Sequence, residues 1–266
     1  MLRLESVVVE YKQRGFLRHR QTVRAVNGVS FSMAQGSTLG IVGESGGGKS
    51  TLLKAICRFV PIKSGRIFID DVAVSSLSPK AFFPYRKKIQ MIPQDFYDIF
   101  NPKMSVEEIL REPLEIHFRN LTEKEKNMQI GTLLTSVELD YSLRQRLPAE
   151  LSGGQRQRLS IARGLAVNPE LLICDEIISA CDLFSQKQIL SLLTRLNKKK
   201  KIAMLFISHN IAAVANFCRE IIVMYHGEFV EYGTAEEICT APRHPYTQLL
   251  IDVVSHAAEQ KACIAL

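Results

Sequence analysis

The nine residues GESGGGKST, Gly43 to Thr51, constrain this chain more than any other stretch, because the apolar run STLGIV leads into them and the helically spaced STLLKAICRFV follows. A glycine, four residues, then Gly-Lys-Ser between a strand and a helix is the pattern of a phosphate-binding loop. Gly43, Gly46, Gly47 and Gly48, with Glu44 and Ser45 among them, let backbone amides turn inward around phosphates, and the following helix adds the partial positive charge of its N-terminus. Lys49 is expected to reach the β- and γ-phosphates and the Ser50 hydroxyl to ligate Mg²⁺, with Thr51 beside it. Average composition makes such a match on the order of a one-in-a-hundred event in a chain of this length, before its strand-to-helix context is counted.

A second feature then acquires a role. LLICDE, Leu171 to Glu176, is a buried-looking strand that runs into two adjacent carboxylates. In folds with a phosphate loop, a neighbouring strand ends in an aspartate that holds Mg²⁺, which is the expectation for Asp175. Glu176 is expected to polarise the attacking water, a contribution of about 10²–10⁴-fold for a general base.

The remainder of the chain sorts into three stretches. LRLESVVVEY and GVSFSM alternate as strands do, and RIFID and KIQMIPQ read as further strands. From about residue 95 to 165 the pattern is helical, with VEEILREPLEI and then TEKEKNMQIGTLLTSVEL, where Met128, Leu133, Leu134 and Val137 fall at helical intervals. The last third alternates strand and helix (LLIC, FSQKQILSLLTRL, IAMLFIS, NIAAVANFC, EIIVMY), which implies crossover connections and a mostly parallel sheet. The expected fold is therefore α/β: a catalytic core of about 1–94 and 166–235 with N-terminal antiparallel strands, an inserted helical subdomain of about 95–165, and a C-terminal extension of about 236–266, all in one domain.

Composition narrows the class. With 46% hydrophobic and 23% charged residues, the 266-residue chain suits a globular protein with a sizeable core. Its longest apolar runs fall far short of the roughly 18–20 residues that span a bilayer, and MLRLESVVVE carries charges where a signal peptide needs an apolar core. Six cysteines without a CxxC pair suit buried thiols in a reducing compartment. The net charge of +7 raises nucleic acid as a partner, but the basic residues are scattered apart from Lys12 to Arg24 and Lys198 to Lys201, and both runs read as solvated loops. No nucleic-acid partner is expected.

LSGGQRQR, Leu151 to Arg158, opens a second helix with a serine and two glycines, and so offers a second anion-binding N-terminus. One ATP has no need of two such ends from the same subunit. Here the chain clearly resembles the ATPase subunits of ABC transporters, in which this signature closes over the nucleotide of the opposite subunit. The resemblance implies that Ser152, Gly153, Gly154 and Gln155 act in trans and that ATP and Mg²⁺ are the ligands. It also implies that Gln94 touches the Mg²⁺ or water site, that Asp182 lies at the dimer interface, that His209 contacts the γ-phosphate, and that Tyr11, with Phe16 as rival, stacks on adenine.

Asn101-Pro102 after Gln94 and His244-Pro245-Tyr246-Thr247 near the C-terminus resemble the peptide and nickel importer group of bacterial ABC transporters. That implies an ATPase on the cytoplasmic face of the inner membrane, paired with a second ATPase subunit or with itself, and working with two permeases and an extracytoplasmic substrate-binding protein. An export or lipid-moving cassette is the alternative. A soluble repair-type ATPase would need a long coiled coil before the signature, and the insertion is too short. The chain departs from the group at Ile177-Ile178 and Cys181, where Pro-Thr and Leu are usual, at Phe96 in place of a proline, and at Asn210 in place of an aspartate. A competent ATPase with altered rate or coupling is expected. With only Cys263 near the C-terminus, no iron–sulfur cluster is expected.

Overall fold

The computed structural model describes residues 1–14, 20–94, 99–179 and 182–253; Phe16, Phe96, Cys181 and Cys263 lie outside the described residues. The chain divides into two compact units, Met1–Phe82 together with the chain from Ala203 onward, and Phe83–Ile202.

In the first unit β1 (Leu2–Arg14) pairs antiparallel with β2 (Arg20–Met33). Its inward side chains change phase from Leu2 and Leu4 to Val7 and Val9, all buried. A bulge absorbs the extra residue where Ser6 takes φ of 44°, and it keeps one apolar face turned to the core. β3 (Thr38–Val42) is buried along its whole length, as a strand covered on both faces must be. The phosphate-loop helix α1 (Lys49–Ile56) follows it. Arg58, at φ 58°, ends the helical course earlier than the apolar spacing suggests, and its guanidinium donates to the Leu77 carbonyl. β4 (Ser64–Ile69) and the short β5 (Val72–Ala73) extend the antiparallel sheet, and α2 (Pro79–Arg86) leads out of it.

The second unit holds β6 (Ile89–Ile92), α3 (Val106–His117), α4 (Glu123–Ser136), α5 (Gly153–Leu165), β7 (Leu171–Asp175) and α6 (Leu183–Lys200). β6 and β7 pair in parallel, with Ile92 opposite Cys174. Each of the three middle helices opens with a reciprocal capping box, Ser105 with Glu108, Thr122 with Glu125 and Ser152 with Gln155, so that orphan amides of the first turn are satisfied before any packing is counted. The core face of α4 is Ile130, Leu133 and Leu134. Met128, expected on that face, is 66% exposed, because only Ile130 stands at both i−3 and i−4 to the two leucines. The Lys198–Lys200 run also differs from expectation: it forms the last turn of α6 instead of a loop, where cations complement the helix dipole.

In the first unit the chain resumes with β8 (Ala203–Ser208), α7 (Ile211–Phe217), β9 (Glu220–Tyr225), β10 (Glu228–Thr234) and α8 (Ala235–Thr240). β3 pairs in parallel with β8 on one side and β9 on the other, and β10 runs antiparallel to β9. Residues 245–253 are helical. Among the described residues no helix is long and apolar enough to cross a membrane.

Candidate functional site

The parallel register of the first unit sets Val42 opposite Ser208 and Val223. Chain leaving β3, β8 and β9 therefore emerges at one edge, the carboxyl ends of the strands, where open α/β sheets place ligands. The Gly43–Thr51 loop, His209 and the turn after Tyr225 all begin there. The loop is tightly held. The Gly227 amide donates to the Gly47 carbonyl (3.1 Å), and the Gly47 amide donates to the Glu44 carbonyl (3.2 Å). A Cβ on Gly43 would sit 2.0 Å from the Met224 carbonyl oxygen, and one on Gly48, at φ 99°, 2.0 Å from that of Ala25. Only glycine fits either place.

Lys49 is 4% exposed, and its ammonium spans the loop, donating to the carbonyls of Gly43 (2.8 Å) and Glu44 (2.6 Å). A charge so buried requires such partners. Ser45, Gly46 and Ser50 are exposed on the loop, and Thr51 is half-buried. His209 is exposed immediately after β8. Asn210, in place of the usual aspartate, caps α7 by accepting the Ala213 amide at 3.1 Å, a task asparagine performs as well as aspartate. Tyr11 is 39% exposed on β1, opposite Val23.

The second unit assembles the carboxylates. Asp175 ends β7 with 5% exposure. Because β6 and β7 leave the sheet together, Gln94 meets Glu176, its amide nitrogen 3.3 Å from a carboxylate oxygen. Glu176 takes φ of 47°, a left-handed conformation that costs a non-glycine residue of order 1–3 kcal/mol and collects at functional sites. A turn holds it there: the amide and hydroxyl of Ser179 both donate to the Glu176 carbonyl, at 3.1 and 2.8 Å. Next door, burial and the Asp175 charge push the Cys174 thiol far up, so it stays inert.

Ser152 caps α5 and accepts the Gln155 amide, while Gln155 accepts the Ser152 amide at 2.9 Å. Gly153 and Gly154 form the first turn, and the space a Cβ of Gly154 would enter is open. Asp182 caps α6. The Ser185 hydroxyl and amide, then the Phe184 amide, hold its carboxyl below the usual carboxylate range. Leu183 and Phe184 beside it are 65% and 70% exposed.

Gln157 ties two of these features together, and residue type alone gave no sign of it. It lies on α5 with 0% exposure and donates its side-chain amide to the Ile177 carbonyl, one residue past Glu176. Ile177 and Ile178 are each 1% exposed. Where the proline is missing, packing and this hydrogen bond hold the turn. Gln157→Leu leaves a buried carbonyl unmet and is expected to cost about 1–3 kcal/mol, read as a lowered unfolding midpoint. A midpoint equal to wild type would refute the link.

Chemically, the first half offers inward amides, a helix N-terminus and a buried ammonium, which suit a polyphosphate. The second offers a carboxylate held beside a carboxamide, which suits oriented water. Comparison with known proteins agrees. The family model described as ABC transporter matches residues 26–179, and one described as oligopeptide/dipeptide transporter, C-terminal region, matches 230–264. The oligopeptide transport ATP-binding protein OppF of Bacillus subtilis is 41% identical over 247 residues, 92% of this chain and 81% of that protein. OppF of Haemophilus influenzae is 40% identical over 239 residues, 90% and 72% of the two chains. Among solved structures, the dimeric post-hydrolysis state of the ATP-binding cassette MJ0796 with ADP and Pi superposes with a TM-score of 0.79 at 28% identity, covering 88% of this chain and 99% of that one.

Proposed function

The chain belongs to the ABC transporter ATPase family, and from that premise we propose that it energises a bacterial peptide importer from the cytoplasmic face of the membrane. The observation that carries the cargo class is the joint match of the cassette at 26–179 and the oligopeptide/dipeptide C-terminal region at 230–264 in one chain. Nickel or another metal chelate, the other cargo of the resembling group, has no comparable support.

In this reading Gly43 to Thr51 cradle the phosphates of ATP, with Lys49 carrying the charge and Tyr11 facing adenine. Glu176 orients and deprotonates water with Gln94 beside it, and His209 contacts the γ-phosphate. The Ser50 hydroxyl, the nearly buried Asp175 carboxylate and the Gln94 carboxamide are hard oxygen donors of the kind Mg²⁺ takes. The ion, when bound, neutralises phosphate charge.

The exposed N-terminus of α5, capped by Ser152, serves the nucleotide of a second ATPase subunit. Asp182 and the exposed Leu183 and Phe184 face that subunit. The γ-phosphate bridges the two, and its loss on hydrolysis reopens the pair, since a ligand biases a two-state element only through differential contacts.

The test is purification of the tagged chain from its own membranes in mild detergent, followed by mass spectrometry. Two permeases, a second ATPase and an extracytoplasmic binding protein are expected. Recovery of an exporter's membrane chain, or of no membrane protein, would overturn the importer reading.

A further inference from the structure

The phosphate loop has a partner from the far end of the chain. The Glu44 amide donates to the Tyr246 hydroxyl oxygen at 2.7 Å, across 202 positions of sequence. Tyr246 belongs to the His244-Pro245-Tyr246-Thr247 segment, which is anchored from below by Glu231 of β10. That carboxylate accepts the amides of Arg243 (2.8 Å) and His244 (3.0 Å), and the Tyr246 amide donates to His244 Nδ1 at 3.2 Å. Burial raises the affinity of the Glu231 carboxyl for its proton, but the neighbouring Thr247 side chain and the donated amides of Arg243 and His244 outweigh this and hold it below the usual carboxylate range. The Tyr246 ring is stacked on Tyr225 at the end of β9, centroids 4.2 Å apart at 27°. Ring and hydroxyl are thus fixed independently, one by the sheet and one by the loop.

The geometry of a trans peptide gives this contact its consequence. The Glu44 amide and the Gly43 carbonyl belong to one planar unit and point in opposite directions. The carbonyl accepts from the Lys49 ammonium at 2.8 Å, while the amide is held by Tyr246. Rotation of that plane would take one of its two loop carbonyls from Lys49. We propose that Tyr246 is a positioning residue for nucleotide binding: by holding the Gly43–Glu44 peptide plane, it keeps Lys49 aimed across the loop and couples the C-terminal segment to phosphate binding. Because linkage is reciprocal, bound nucleotide in turn strengthens docking of that segment. The inference rests on the ATP-binding reading of the loop.

Tyr246→Phe separates the hydroxyl from the ring, since the stack on Tyr225 survives. In the full chain, the dissociation constant and KM for ATP are expected to rise about 3- to 10-fold, the worth of one backbone hydrogen bond, with kcat within about twofold. Without nucleotide, hydrogen exchange in the segment containing Glu44 is expected to quicken. Tyr246→Ala, which also removes the stack, is expected to lower the unfolding midpoint as well. Were Tyr246 only structural, Tyr246→Phe would lower the midpoint and leave ATP affinity unchanged. That result, or unchanged affinity together with unchanged exchange at Glu44, overturns the proposal while leaving the ATPase reading intact. If wild type itself fails to bind ATP where Lys49→Ala also fails, the nucleotide reading falls and this inference with it.

Discussion

Glu176→Gln is expected to bind ATP as wild type does and to hydrolyse it about 10²–10⁴-fold more slowly, the contribution of a positioned general base. The substitution keeps the length and planarity of the side chain and an oxygen to accept from Gln94, which lies 3.3 Å away. It removes only the capacity to take a proton. The backbone that aims the side chain, at φ 47° with Ser179 closing the turn, is untouched, so the unfolding midpoint is expected to stay within the noise of the measurement. Phosphate release in the assembled complex, set beside ATP binding to the same preparation, checks both halves of the expectation. Hydrolysis within tenfold of wild type would take the role of base away from Glu176. The departures at Ile177 and Ile178 leave the turn after Glu176 held, because those side chains are buried and Gln157 donates to the Ile177 carbonyl.

What the sequence made legible was whatever is encoded locally. The phosphate loop is nine consecutive residues whose pattern is complete in itself, although the backbone approaches that exclude a Cβ at Gly43 and Gly48 come from Met224 and Ala25, far from it in sequence. The capping boxes at Ser105, Thr122 and Ser152 each span four residues and mark the start of their helices in plain composition. The parallel order around β3 follows from strands that are apolar on both faces. What escaped is tertiary. Gln157 reads as one more polar residue on a helix, and nothing near it in sequence tells that its amide is buried against a carbonyl 20 positions away. The Tyr246 hydroxyl reaches Glu44 across 202 positions. Met128 fits a loose apolar spacing, but the stripe shared by Ile130, Leu133 and Leu134 leaves it outside. β10 is faint because EFVEYGT carries glutamates and glycine through a half-exposed edge, where alternation is weak. α8, though it opens on the Thr234–Glu237 capping box, is six residues long and too short to show a helical stripe.

Lys49→Ala is expected to weaken ATP binding by about 10- to 150-fold, the 1.5–3 kcal/mol of hydrogen bonding by a charged group, and to abolish measurable hydrolysis at cellular ATP concentrations. Shape and charge can be separated at this position. Lys49→Met keeps the buried stem and loses the ammonium; Lys49→Arg keeps the charge but exchanges a compact head for a planar fork. The room is fixed by backbone: Gly43 and Gly48 already touch Met224 and Ala25 too closely for a single added carbon, and the ammonium sits within 2.8 Å of two carbonyls. A guanidinium cannot adopt that place without displacing the loop, so Lys49→Arg is expected to bind ATP little better than Lys49→Met. Direct titration with ATP decides it. Near-normal affinity in Lys49→Arg would mean that the loop needs only a positive charge nearby, whereas failure of both variants shows that the point geometry of the ammonium, held between Gly43 and Glu44, is what the phosphates require.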